Sequence, residues 1–227
     1  MNHHVLITGA GKRVGRVMAL DLAKAGWDIT IHYNTSKEEA ETLAQEITAL
    51  GRTVFLAQAN LEKPDDIARL IPVKEAPPLT ALIHNASLFI HDAEDPAGAR
   101  HRAVNVDAPL ALNDAFLAQL PQGCQGAIVQ ILDSTLIPPH MSAYARSRAA
   151  MAAMIPTLAR RYAPHARING LALGPTLKNE RQSQAHFDAL VAATPSHKPT
   201  EREALNRRLL ALLQDEGING TITGCDS

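Results

Sequence analysis

A doubly wound, parallel α/β sheet with helices on both faces is the fold class that the sequence predicts, on three observations. Short apolar runs rich in β-forming residues alternate along the chain with stretches of helical spacing. Aromatic residues are only 4% of the 227, so the core must rest on Leu, Ile, Val and Ala. A glycine-rich turn follows the first apolar run and leads into the first helical stretch. Strand and helix in strict alternation imply parallel pairing through right-handed crossovers.

Val5-Leu6-Ile7 is the first expected strand, and Val14 to Ala25 the helix after it. Ile29-Thr30-Ile31 is the second strand, with a helix from Lys37 to Leu50 behind it. Further strands are expected at Thr53 to Leu56, Leu79 to Ile83, Ala127 to Leu132, Ile168 to Leu173 and Thr221 to Thr223, which makes seven. Gly26 and Gly51 stand just past the two helices, where glycine admits a left-handed cap at little cost. Hydrophobic residues are 46% of the chain, enough for a full core, and residues 1–227 read as one domain.

Charge and composition exclude several function classes. With 22 basic and 23 acidic residues the formal charge is −1, and the pairs Arg160-Arg161 and Arg207-Arg208 are isolated on helical stretches. They read as solvated faces, so no nucleic-acid partner is expected. Cys124 and Cys225 are far apart and form no CxxC, which argues against a disulfide framework or thiolate metal site. The ten histidines show no metal-ligand spacing, so no metal is expected. No stretch has the length or apolarity of a signal peptide or a membrane span, and a cytoplasmic location without membrane association is expected.

The turn after the first strand reads Thr8-Gly9-Ala10-Gly11-Lys12-Arg13-Val14-Gly15. Glycines there allow a tight turn and close approach of backbone to a pyrophosphate, which the helix N-terminus stabilises; this is a Rossmann-type arrangement. Arg13 occupies the place of a middle glycine. The second strand ends in His32-Tyr33-Asn34-Thr35-Ser36, with no acid to accept from a ribose 2′-hydroxyl. A fixed cation and hydroxyls suit a 2′-phosphate, so NADP is favoured over NAD.

Thr-Gly-x-x-x-Arg-x-Gly, followed by a His-Tyr-x-x-Ser strand end, resembles the pteridine reductase branch of the short-chain dehydrogenases/reductases, from about Val5 to Pro175. The resemblance implies that Gly9, Arg13, Val14 and Gly15 border the cofactor, with Arg13 and Ser36 on its 2′-phosphate and Tyr33, Asn34 and Thr35 beside it. It implies Asn60 and Leu61 next to the adenine, although the family usually has Asp at the first of these. Asn85-Ala86-Ser87 resembles the family's cofactor-supporting turn after the fourth strand. Gly174-Pro175-Thr176 matches the turn beside the nicotinamide.

Tyr144 and Arg148 stand four apart and share a helix face. Reduction of a C=N or C=O bond needs a hydride and a proton, and a phenol supplies the proton if a cation lowers its pKa from about 10. The family uses Tyr-x-x-x-Lys, whose lysine also holds the nicotinamide ribose. Arg148 keeps the charge and donors for ribose anchoring and phenol acidification, but it releases no proton at ordinary pH. The family's strand-end catalytic residue is usually Ser, and Asp in pteridine reductases. Asp133 is preferred for that role and Ser134 is the alternative. Asn105 matches the helix Asn that holds a water near the lysine, and Phe89 the aromatic that sandwiches a pterin substrate. Asp133 and Tyr144 would also touch that substrate.

The expected activity is NADPH-dependent reduction of a dihydropterin. A carbonyl reductase of the same fold and a non-enzymatic NADP-binding protein are the alternatives. A homo-oligomer, dimer or tetramer, is also expected: Met151, Met154, Ile155 and Leu158 recur near helical spacing among alanines, and the family pairs the corresponding helices between subunits.

Overall fold

The computed structural model describes residues 3–71, 76–134, 139–178, 182–194 and 196–225. Seven parallel strands form one sheet in the order β3-β2-β1-β4-β5-β6-β7. They are β1 His4–Ile7, β2 Asp28–Tyr33, β3 Val54–Gln58, β4 Ala81–His84, β5 Gly126–Asp133, β6 Ala166–Leu173 and β7 Ile222–Gly224. Each predicted strand lies at its predicted place within a few residues.

Side chains alternate across the pleat, so the central strands β1, β4, β5 and β6 feed two cores. Val5, Ile7, Ile29, Ile31, Ile83 and Val129 pack on one face. There they meet α1 (Arg13–Lys24), α2 (Lys37–Ala49) and α8 (Arg202–Gln214). Leu6, Leu82, Ile128 and Ile168 pack on the other face. Their partners are α3 (Pro64–Ile67), α5 (Ala108–Gln119) and α6 (Ser142–Tyr162). Burial on both faces is why these strands read as unbroken apolar runs.

Gly26 (φ +93°) and Gly51 (φ +75°) take left-handed conformations just past α1 and α2. After α1, Trp27 N donates to Leu22 O and Gly26 N to Ala23 O, each at 3.0 Å. After α2, Arg52 N reaches Ile47 O and Gly51 N reaches Thr48 O, at 3.3 and 2.9 Å. Both are Schellman closures, which satisfy carbonyls that the helix itself leaves open.

Asn105 lies in a π-helical segment, Ala103–Asp107, between the short α4 (Ala99–Arg102) and α5. Such a bulge offsets an interior asparagine's poor helix propensity by turning its amide onto tertiary partners.

The Met151 stripe differs from expectation. Met151, Ile155 and Leu158 are buried in this chain's own core, because that face of α6 covers the sheet. The face left to solvent carries Ala149, Ala150, Ala153 and Thr157, and Met154 is half-buried beside it. Arg208 also departs from a purely solvated reading, since it donates to Thr223 Oγ1 on β7 at 3.1 Å. Among the described residues, no helix is long and apolar enough to cross a membrane.

Two buried histidines tie strand ends together. His32 bonds Gly9 N and Ala59 O, at 3.0 and 3.2 Å. His84 bonds Asn113 Oδ1 at 2.8 Å. Desolvation pushes the pKa of each down to about 4. An unfolded histidine titrates near 6.5, so below that pH the unfolded chain takes up the proton first, and stability falls as pH drops from about 6.5 to about 4. The melting temperature should therefore fall by about 10 °C between pH 7 and pH 5. Scanning calorimetry showing no change over that interval would refute the neutral histidine pair.

Candidate active site

The sheet order reverses between β1 and β4, and the crevice beyond their C-terminal ends is where ligands enter such folds. Thr8 follows β1 and Asn85 follows β4. Thr8 Oγ1 accepts from Asn85 N and from Ala86 N, each at 3.0 Å. Asn85 Nδ2 returns bonds to Thr8 O (2.9 Å) and Gly9 O (3.1 Å). Gly9 has φ +65°, which glycine adopts without strain.

At Gly15 space, not φ, excludes a side chain: a Cβ there would lie 2.4 Å from Gly9 O and 2.6 Å from Asn85 Nδ2. Val14 is half-buried beside it. Lys12, at the N-cap of α1, makes no side-chain cap bond. The cradle therefore fits a pyrophosphate: backbone approaches closely, and the first-turn N–H groups of α1 remain for an anion.

The cations of this turn diverge. Arg13 takes φ +51°, the left-handed conformation that a glycine would fill at no cost. Its guanidinium donates to Leu177 O at 3.2 Å, on the loop after β6. It therefore leans to the β4–β6 side of the crevice. Lys12 reaches the opposite side, pairing with Glu39 in the first turn of α2 at 2.5 Å. Ser36 Oγ lies 3.1 Å from the position of a Cβ on Gly11, so Ser36 and Lys12 both border the β2 end. Asn34 and Thr35 stand in the loop between, while Tyr33 and Leu61 are both buried in the core, which limits what their side chains can offer a ligand. Asn60 Oδ1 is engaged by Glu62 N at 2.9 Å.

Across the crevice, α6 presents Tyr144 to the end of β5. The phenol donates to Asp133 Oδ2 at 2.5 Å, and the nearby Ser87 hydroxyl pulls its pKa down a little. Between the two strand-end candidates, the structure brings the Asp133 carboxylate to the phenol; Ser134 N is bonded to Leu173 O at 3.0 Å. Arg148 Nε donates to the same Asp133 oxygen at 3.0 Å. One of its terminal nitrogens bonds Ile131 O within β5. Phe89 is 58% exposed, and its ring meets that of Tyr144 edge-on with centroids 4.7 Å apart. It offers a flat apolar face at the mouth of the site.

Burial, then the Asp133 charge, raises the Tyr144 pKa well above its ordinary value, and Arg148 only partly opposes this. The reason is geometric: the guanidinium is spent on the carboxylate, and the phenol is a donor to that carboxylate.

Asn105 is wholly engaged in positioning. Its Nδ2 donates to Leu88 O (3.1 Å) and Ser147 Oγ (3.0 Å), and its Oδ1 accepts from Leu88 N at 2.8 Å. The Gly174-Pro175-Thr176 turn is fastened by Thr200: Gly174 N donates to its Oγ1 at 3.1 Å and its N–H to Pro175 O at 2.9 Å.

Sequence reasoning missed several contributors. Asp92 takes Ser142 N, Ser142 Oγ and Ala143 N at 2.6–2.9 Å, so it caps α6 from fifty residues away. His101, fully buried, is held by Asp95 at 2.7 Å and lies 6.2 Å from the Tyr144 ring, centroid to centroid. His32, noted only as part of a strand end, orients the Gly9 amide. No local pattern signals these partners; the Asp-x₂-Gly before His101 reads only as a turn. Among the described residues, no group of three or more His, Cys, Asp or Glu is placed to hold a metal.

Residues 3–188 match the family model for short chain dehydrogenases. The chain belongs to the short-chain dehydrogenase family. It is 31% identical to FolM alternative dihydrofolate reductase 1 from Brucella canis, crystallised with NADP, with a TM-score of 0.92 over 99% of this chain and 92% of that one. A 3-oxoacyl-[acyl-carrier-protein] reductase, FabG of Staphylococcus epidermidis, is 37% identical over 90 residues, 39% of this chain and 37% of the relative. The match thus spans little more than a third of that curated relative's length. An NADPH-dependent aldehyde reductase-like protein of Arabidopsis thaliana chloroplasts is 28% identical over 177 residues, 68% of this chain and 65% of its own.

Gly15→Ala tests the close approach at the turn. The added methyl should cost about 1–3 kcal/mol of unfolding free energy. Denaturant melts matching those of the parent would disprove it.

Proposed function

We propose that this protein is an NADPH-dependent reductase of a dihydropterin. The observation that carries this reading is the Tyr144–Asp133 bond, 2.5 Å long, beside the exposed Phe89 ring. A carboxylate on the phenol, where most of the family has a hydroxyl, and a flat ring at the mouth suit a planar heterobicycle whose C=N bond takes a proton on nitrogen. The FolM likeness supports the same substrate class.

Bound NADPH supplies the hydride. The chain's residues do the rest. Gly9, Gly15 and the first turn of α1 receive the pyrophosphate, and Lys12 with Ser36 lies where a 2′-phosphate would add charge. Arg13, leaning toward Leu177, would meet the cofactor from the β4–β6 side of the crevice. The Gly174-Pro175-Thr176 turn and Asn85-Ala86-Ser87 would flank the nicotinamide. Tyr144 gives its proton to the substrate nitrogen as the hydride arrives at carbon. Asp133, one-third exposed, connects the phenol to solvent protons.

The FabG and aldehyde reductase likenesses favour a second reading, reduction of a carbonyl. We further propose cytoplasmic action as a homo-oligomer, in which the small-residue face of α6 would form the contact.

NADPH should bind about ten- to a hundredfold more tightly than NADH, the worth of one charge-assisted phosphate contact. Lys12→Ala should remove more of that ratio than Arg13→Ala. Equal titration curves for the two cofactors on the parent would reject the assignment. NADPH oxidation should proceed with dihydropterins and exceed that with 3-oxoacyl or aldehyde substrates, and Tyr144→Phe should abolish it while cofactor binding persists. Faster turnover of a carbonyl than of every pterin would select the second reading.

A further inference from the structure

The short-chain dehydrogenase site ordinarily carries lysine where this chain has Arg148, and the position of that guanidinium assigns it a different task. We infer that Arg148 is a positioning residue that works through Asp133 and does not anchor the cofactor ribose. The inference rests on the reductase reading for its kinetic part and on geometry alone for its binding part.

The Arg148 side chain is only 7% exposed. Its Nε donates to Asp133 Oδ2 at 3.0 Å, and a terminal nitrogen donates to the Ile131 carbonyl. Both acceptors belong to β5, two residues apart on the same strand. The fork therefore clamps the end of β5 to α6, and its Cζ lies 5.9 Å from the Tyr144 ring centroid. Asp133 Oδ2 is also the oxygen that receives the phenol. Arginine, Asp133 and Tyr144 thus form one unit joined at a single carboxylate oxygen.

A planar guanidinium reaches a carboxylate and a backbone carbonyl together. The compact ammonium of lysine, on a flexible stem, has no such preformed fork. Substitution by arginine is thus a change of partner: the charge faces the strand end. Asn105 agrees with this. Its amide is engaged by Leu88 and Ser147, and a guanidinium gives up no proton. Protons then reach Tyr144 by way of Asp133, whose side chain is 33% exposed. Holding that carboxylate at the phenol, instead of letting it swing into solvent, is the task left to Arg148.

The test compares the parent, Arg148→Met, Asp133→Asn, the double variant and Arg148→Lys. NADPH affinity is read by cofactor fluorescence, and turnover by NADPH oxidation with a dihydropterin. Arg148→Met should lower kcat by roughly ten- to a hundredfold and leave the NADPH Kd within about twofold, because the lost bond is charge-assisted but not to the cofactor. The double variant should be no slower than Asp133→Asn alone, since residues acting as a unit do not add. Arg148→Lys should keep NADPH affinity and lose turnover. A Kd raised about tenfold by Arg148→Met in both backgrounds would overturn the inference in favour of ribose anchoring. So would a faster enzyme with tighter NADPH from Arg148→Lys, or losses that multiply in the double variant.

Should Arg148→Met fold poorly, Arg148→Lys decides the same question. Should the parent reduce no pterin and no carbonyl, the reductase reading fails separately. The Kd comparison and the coupling of Arg148→Met with Asp133→Asn in thermal melts then decide the positioning role. Unchanged Kd with strong coupling sustains it, and weakened NADPH or additive melts overturn it.

Discussion

The lock between Thr8 and Asn85 is the constraint from which the cofactor side of the crevice hangs. Two parallel strands, β1 and β4, end side by side, and their next residues exchange four hydrogen bonds of 2.9–3.1 Å. The Gly9 carbonyl is thereby turned toward Asn85, its amide toward His32, and the turn passes so close to Gly15 that no β-carbon fits. A buried backbone group left unpaired here would cost about 1–3 kcal/mol, so side chains from three strands serve this one turn. The same segment then delivers Ser87 to the phenol of Tyr144, which joins the cofactor half to the catalytic half.

The catalytic half depends on a second set of long-range ties. Helix α6 is capped by Asp92, held at Ser147 by Asn105, and joined to β5 through Arg148 and Asp133. Each tie comes from a different element, so the position of Tyr144 is over-determined. A side chain tied from several elements is held to one geometry, which is what a reacting group needs, because misplacement costs rate steeply. The opposed charges of Asp133 and Arg148 leave the phenol without a net acidifying cation.

Family membership fixes a fold and a nicotinamide chemistry, and fold alone leaves the substrate open. The local departures from the family pattern carry the finer reading here: Arg148 for lysine, a carboxylate at the strand end, an arginine in a left-handed turn position. Arg13 at φ +51° accepts a conformation disfavoured for any residue with a β-carbon. A non-glycine residue kept in such a place is a hint of use, since strain of this kind persists where the surroundings enforce it.

The sequence by itself determined the seven strands, their alternation with helices, the glycine caps at Gly26 and Gly51, and the placement of Tyr144 and Arg148 on one helix face. These follow from local rules: side-chain periodicity, the φ range of glycine, and spacing along one helix. Only the tertiary structure decided where the long cations point. Arg13 bonds a carbonyl 164 residues away, Arg148 one 17 residues away, and Met151 faces its own sheet, not a second subunit. A long side chain samples many rotamers of similar energy, and which one it keeps depends on acceptors brought near by packing. No spacing within the sequence encodes that choice.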